Sequence, residues 1–134
     1  MTSVVADTHA LVWYIIQPSR LSDAATLALD NAIAAGTPIY LSTISIVEIC
    51  YLTERGRLTE TVLQRLIETM ELPNAPVVTV ALDLTVALAM QQIDRTTVPE
   101  MPDRIIAATA LHLNLPLVTR DQRIQALKTI STVW

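Results

Sequence analysis

Residues 101–122, MPDRIIAATALHLNLPLVTRDQ, read as a helix, a tight turn and a strand that runs back along the helix. Pro102 suits a first helical turn, where its missing N–H costs little. Asp103 to Leu113 is apolar almost all round, the pattern of a buried helix. Asn114 suits a left-handed C-terminal position, and Pro116 cannot continue the helix. Leu117-Val118-Thr119 then reads as a short buried strand. Roughly eleven helical residues at about 1.5 Å each rise ~16 Å, and about five extended residues at ~3.3 Å each return a similar distance. Asp103, at the helix start, and Asp121, past the strand end, are therefore expected at one edge of the domain.

The chain has 134 residues, which predicts a single domain over 1–134. A hydrophobic content of 51% assures a core and leaves apolar surface for a partner. The richest apolar run, Val77 to Met90, is broken by Asp83, so no membrane span is expected. MTSVVADTH has no basic region before its apolar residues and does not read as a signal peptide. The single cysteine, Cys50, sits in an apolar context and reads as a small core residue. A reducing cytoplasm fits. The formal charge of −4 counts mildly against a generic nucleic-acid binder. The imbalance is local if four of the 13 acids share a site, because the rest then equal the 9 Lys and Arg.

Elsewhere, strand-like and helix-like stretches alternate. Ser3 to Ala6 is a short apolar strand ending at Asp7, and Ala10, Leu11, Tyr14 and Ile15 share a helical face. Asp7 thus sits at a strand's carboxyl end, where ligands bind in open parallel α/β sheets. Taken alone it reads better as a helix cap, by itself or with Thr8. His9 and His112 have no partner at metal-ligand spacing, and both read as structural, His112 within the buried helix. Leu21 to Ala35 reads as a helix ended by Gly36, and Pro38 to Ser42 as a strand. Ser45-Ile46-Val47-Glu48 fits a capping box, which puts Glu48 in a helix's first turn just past a strand end. Thr59 to Leu72 is an amphipathic helix, Val77 to Val80 a strand, and Leu82 to Ile93 another helix. Arg95 to Met101 is a loop, Arg123, Ile124 and Leu127 lie on a short helix, and Ile130 to Trp134 is an edge strand. This alternation predicts an α/β fold with a mainly parallel sheet and helices on both faces. Right-handed crossovers then bring the strand ends to one edge.

Asp7, Glu48, Asp103 and Asp121 all follow strands or start helices on that edge. Each is accounted for singly as a cap or a helix-dipole partner. Together, four carboxylates repel, and some must protonate unless a cation joins them. Mg²⁺ or Mn²⁺ suits an oxygen-donor site without Cys or His. Such a site lowers the pKa of water and braces phosphate oxygens, the chemistry of phosphodiester hydrolysis. Phosphoryl transfer through an aspartyl phosphate fits poorly: Asp7-Thr8-His9 lacks a second acid two residues on, and the only lysine is Lys128.

The segments VVADTHALVWYI, STISIVEI and MPDRIIAATALHLNLPLVTRD, in this order and spacing, resemble a PIN-domain ribonuclease. Among these the chain is most similar to the toxin of a VapBC-type toxin–antitoxin pair. The resemblance covers nearly the whole chain and implies a PIN-like three-layer sandwich with Mg²⁺- or Mn²⁺-dependent endoribonuclease activity. It makes Asp7, Glu48, Asp103 and Asp121 the catalytic, metal-holding quartet. It places Thr119 at a hydroxyl position near the last acid, and Thr8 and Ser45 at small polar positions beside the site. Arg104 matches a basic residue that touches either RNA or an acidic neighbour. The implied partners are a cytoplasmic RNA, a cognate antitoxin that blocks the site, and a second copy in a homodimer, with no membrane. The alternative is a catalytically weak PIN-like module for RNA or protein interaction. Its mark is a lost acid, and all four are present. The helices around Leu11–Ile16 and Thr59–Leu72 are expected to supply the apolar contact surface. Arg55, Arg57, Arg104, Arg120 and Arg123 are the expected RNA contacts at the rim.

Overall fold

The computed structural model describes residues 3–134; Met1 and Thr2 of the N-terminal stretch lie outside them. Five strands form one sheet: β1 (Val4–Ala6), β2 (Ile39–Ser42), β3 (Val77–Val80), β4 (Leu117–Val118) and β5 (Thr132–Val133). Their order is β3-β2-β1-β4-β5. Every neighbouring pair is parallel, with Val4 beside Ile39, Val5 beside Leu117 and Leu117 beside Thr132. The helices are α1 (Thr8–Ile16), α2 (Asp23–Ala34), α3 (Thr43–Glu54), α4 (Glu60–Glu71), α5 (Leu84–Ala89), α6 (Met101–Leu113) and α7 (Gln122–Gln125).

Successive strand residues point to opposite faces, and that alternation builds two cores. Val4, Ala6, Ile39, Leu41 and Val118 join Leu11, Leu29, Ile49 and Leu66 from α1 to α4 on one face. Val5 and Leu117 join Val86, Ile106, Ala110 and Ile124 from α5 to α7 on the other. The result is the expected three-layer sandwich. After β1 the chain adds β2 and β3 on one side of it, then returns to add β4 and β5 on the other. The connections out of β1 and β4 therefore leave in opposite directions, which opens a crevice at their carboxyl ends.

The fold-back holds as expected. Pro102 lies in the first turn of α6, and Asn114 closes the helix at φ 54, ψ 45. Left-handed backbone costs most L-residues roughly 1–2 kcal/mol, less for Asn, whose short side chain bonds locally. Asn114→Val is therefore expected to lower the unfolding free energy by about 1 kcal/mol, and Asn114→Gly to leave it level or higher. Urea denaturation checks both.

Several local expectations need correction. Helix α3 starts at Thr43, capped by the Ser42 side chain on Ile44 N–H, so Ser45 is not its cap. Glu48 consequently lies in the second turn. The strand hands over directly to the helix at Ser42, which leaves no loop for a later cap. Leu82 to Ile93 is not one helix: it begins at Leu84, capped by Asp83, and tightens into a 3-10 turn at Met90–Gln92. Leu21 to Ala35 narrows to α2, capped by Ser22. His112 is exposed, because burial in α6 covers Ile105 to Ala110 and ends before the last turn. Cys50 is half-buried beside a shallow groove between α3 and α4, lined also by Leu63 and Ile67. The apolar residues of α1 and α4 are largely spent inside, with Leu11, Val12, Val62 and Leu66 all in the core. The large apolar side chains left exposed include Val47, Tyr51, Leu84, Leu88 and Met101. No helix of the described residues is long and apolar enough to cross a membrane.

Candidate active site

β1 ends at Ala6, and Asp7 caps α1 by accepting the Thr8 N–H at 2.7 Å. The other Asp7 oxygen accepts from Thr119 Oγ1 at 2.7 Å. Thr119 is fully buried just beyond β4, and its hydroxyl accepts the Asp121 N–H at 3.0 Å. One threonine thus ties the acid after β1 to the acid after β4. Asp7 is 8% exposed. That burial pushes its carboxyl up, against the opposing hydrogen bonds from Thr119 and Thr8.

Glu48 reaches the same place from α3. Thr8 Oγ1 lies 2.7 Å from both Glu48 Oε1 and Ser45 Oγ. Thr8 has one hydroxyl proton, and a carboxylate is the stronger acceptor. The proton therefore goes to Glu48, and the buried Ser45 hydroxyl donates to Thr8 in turn. Ser45 stands behind the site because the earlier start of α3 turns it inward. Burial raises the Glu48 carboxyl, and the charge of Asp7 adds to the rise.

Asp103 lies in the first turn of α6, half-buried. Among the described residues its carboxylate has no hydrogen-bond donor. Burial, then the charges of Asp7, Asp121, Glu48 and Glu100, push it up to about 7. Asp121 caps α7, its Oδ1 accepting from Arg123 N–H at 2.8 Å and Ile124 N–H at 3.1 Å. Asp7, Glu48, Asp103 and Asp121 all line one open cleft of about 910 Å³. Among the described residues no three His, Cys, Asp or Glu form a ready-made metal-binding group. Asp7 and Asp121 are turned toward the backbone N–H groups they cap, and the acids repel one another. The donor set, carboxylate oxygens without thiols, has the chemistry that a hard dication takes.

The PIN domain family model matches residues 4–129. The chain belongs to the PIN-domain family. This PIN domain is 30% identical over 131 residues to "Ribonuclease VapC22" of Mycobacterium tuberculosis, covering 94% of this chain and 92% of that protein. Its fold matches VapBC2 from Rickettsia felis, solved bound to a DNA fragment from its promoter, with TM-score 0.73 and 17% identity. That match covers 97% of this chain and 96% of the other. A toxin–antitoxin complex from Klebsiella pneumoniae matches with TM-score 0.65 and 21% identity over 96% of each chain. At these identities the two structures speak for the fold.

Other side chains of this PIN domain fall where its sequence alone did not put them. Arg104 donates to Met90 O at 3.0 Å and Ile93 O at 3.1 Å, which holds its guanidinium off the cleft. It ties the start of α6 to the turn after α5. His9 is exposed and lines the cleft with Trp13, their ring centroids 5.7 Å apart. Glu100, just before α6, is a fifth acid on the cleft. Of the arginines expected at the rim, Arg120 and Arg123 do line the cleft and Arg55 and Arg57 do not, while Arg20 joins them unforeseen. The spacing of His9 and Trp13, four apart on a helix, was the available signal that both share a face.

Proposed function

We propose that this PIN-domain protein is an endoribonuclease that hydrolyses RNA with bound Mg²⁺ or Mn²⁺, as the toxin of a toxin–antitoxin pair. The observation that carries this reading is Asp103: half-buried, without a hydrogen-bond donor, and faced by the charges of Asp7, Asp121, Glu48 and Glu100. A dication makes such a cluster favourable at neutral pH. Kinship with "Ribonuclease VapC22" supports RNA as the substrate. A fold shared with proteins solved in toxin–antitoxin complexes supports a cognate antitoxin as partner. A homodimer in the cytoplasm completes the reading, with exposed Leu84, Leu88 and Met101 offering apolar surface.

Asp7, Glu48, Asp103 and Asp121 would hold the ion, which when bound lowers the pKa of water and offsets charge on the phosphate. The chain's own hydroxyls prepare the carboxylates. Thr119 fixes Asp7, Thr8 fixes Glu48, and Ser45 fixes Thr8. Each carboxylate oxygen has two lone pairs, so one donated hydrogen bond still leaves room for another ligand. Asp103 is close to half-protonated at neutral pH, and ion binding releases its proton.

Incubation of end-labelled single-stranded RNA with the protein tests this. Mn²⁺ or Mg²⁺ is expected to give discrete fragments, EDTA to stop their formation, and added Mn²⁺ to restore it. Cutting that ignores EDTA would remove the metal; RNA left intact by excess protein with either ion would remove the nuclease.

A further inference from the structure

The wall of the cleft next to the acids is cationic, and it is organised on one indole. Trp13 lies in α1, four residues after His9. The Arg20 Cζ stands 4.5 Å from its ring centroid, and the Arg120 Cζ 5.7 Å. The Trp134 ring packs 6.0 Å away and the His9 ring of the same helix 5.7 Å, so four segments of the chain meet on this side chain. Arg20 ends the 3-10 turn Pro18–Arg20, and Arg120 stands between Thr119 and Asp121. Trp13, Arg20 and Arg120 all line the acid cleft. Among the described residues neither guanidinium is paired with a carboxylate.

A guanidinium over an aromatic face keeps its N–H edge free, and that planar edge matches a phosphate. A free arginine on the surface must lose rotamer entropy to bind; one already held over a ring has lost part of it beforehand. A cleft floored by carboxylates repels a polyanion unless cations on its wall offset the field. We propose that Trp13 fixes Arg20 and Arg120 as a phosphate clamp for the RNA backbone flanking the bond to be cut. This rests on the ribonuclease reading above and accounts for how a chain of net charge −4 admits RNA. Trp13 is a positioning residue, acting through the two arginines.

Fluorescence anisotropy of a labelled single-stranded RNA, titrated with the full chain carrying Asp7→Asn to keep the RNA whole, gives affinity against salt. Steady-state cleavage with otherwise native protein gives KM and kcat. Arg20→Gln/Arg120→Gln is expected to weaken binding about tenfold or more. It is also expected to flatten the log–log salt slope by about 1.4, the counterions of two single-strand phosphates. KM should rise by a like factor with kcat changed less than about threefold. Trp13→Ala should reproduce the pattern, and Trp13→Phe should recover most of the affinity, because Phe also offers a ring face. An unchanged salt slope in the double variant overturns the clamp. So does Trp13→Ala lowering kcat at unaltered KM and slope, the signature of a merely structural role. Should Trp13→Ala melt near the assay temperature, the exposed arginines carry the test alone. Native protein that cuts RNA while the double variant binds equally well sinks the clamp and spares the nuclease; native protein that neither binds nor cuts sinks both.

Discussion

Asp7→Asn is expected to cut RNA cleavage by about a hundredfold or more while leaving the apo protein as stable as before. Loss of a hydrogen-bond partner behind a metal ligand costs about 10–100-fold, so loss of the charged ligand itself sits at or beyond the upper end. Stability should hold for two reasons. Asn is as good an N-cap as Asp, so the Thr8 N–H keeps its acceptor, and the amide NH2 donates to Thr119 Oγ1 where the carboxylate accepted from it. The substitution also removes a charge that burial already disfavours. Initial rates with Mn²⁺, set beside melting temperatures without metal, separate the two effects. A variant that cleaves at the native rate removes Asp7 from the proposed quartet; one that loses activity by unfolding shows it in the melt.

Without metal, the protein is expected to melt about 5 °C higher near pH 5.5 than near pH 8, and Mn²⁺ is expected to abolish or invert that difference. The sign follows from three raised carboxyls. Asp103 stands at about 7 in the folded chain against an ordinary 3.8, and Asp7 and Glu48 are raised as well, each chiefly by burial. Between those limits the folded chain holds more protons than the unfolded one. Its stability is therefore full below the ordinary carboxyl range and lost as pH rises through about 7. Because Asp103 is only half-buried, solvent screens part of this, which is why the expected shift is modest. A dication at about a hundred times its Kd contributes roughly 2.7 kcal/mol of its own, enough to reverse the order. Asp103→Asn should flatten the metal-free pH response. Equal melting temperatures at the two pH values, or a higher one at alkaline pH without metal, would falsify the account.

The sheet and its edge were legible because they rest on signals that act locally. Pro102, Asn114 and Pro116 punctuate α6 unambiguously, and short apolar runs between helical patterns mark buried strands. The meeting of Asp7, Glu48, Asp103 and Asp121 on one cleft follows from parallel strand ends for Asp7 and Asp121, from the helix after β2 for Glu48 and from the fold-back of α6 for Asp103. What hid from the sequence was set by tertiary choice between local equals. Ser42 and Ser45 are both good caps, and only the direct handover from β2 decides for Ser42. Arg104 sits beside an acid in sequence, yet the Met90 and Ile93 carbonyls past α5 claim it. Arg20 and Trp134 carry no periodic signal toward Trp13; the ring gathers them from distant segments.

The Thr119 to Asp7 hydrogen bond joins residues 112 apart, across strands that are immediate neighbours in the sheet. Until the ribosome has released β4, β1 has an open edge and Asp7 has no hydroxyl to orient it. An unfinished chain therefore carries Asp7, Glu48 and Asp103 without the groove that Thr119 and Asp121 complete. Loop closure over such a span is among the slower steps available to a small domain. Timing is thus written into the strand order: the acid after β1 and the acid after β4 are tied together only once residues 117–121 have joined the sheet beside β1.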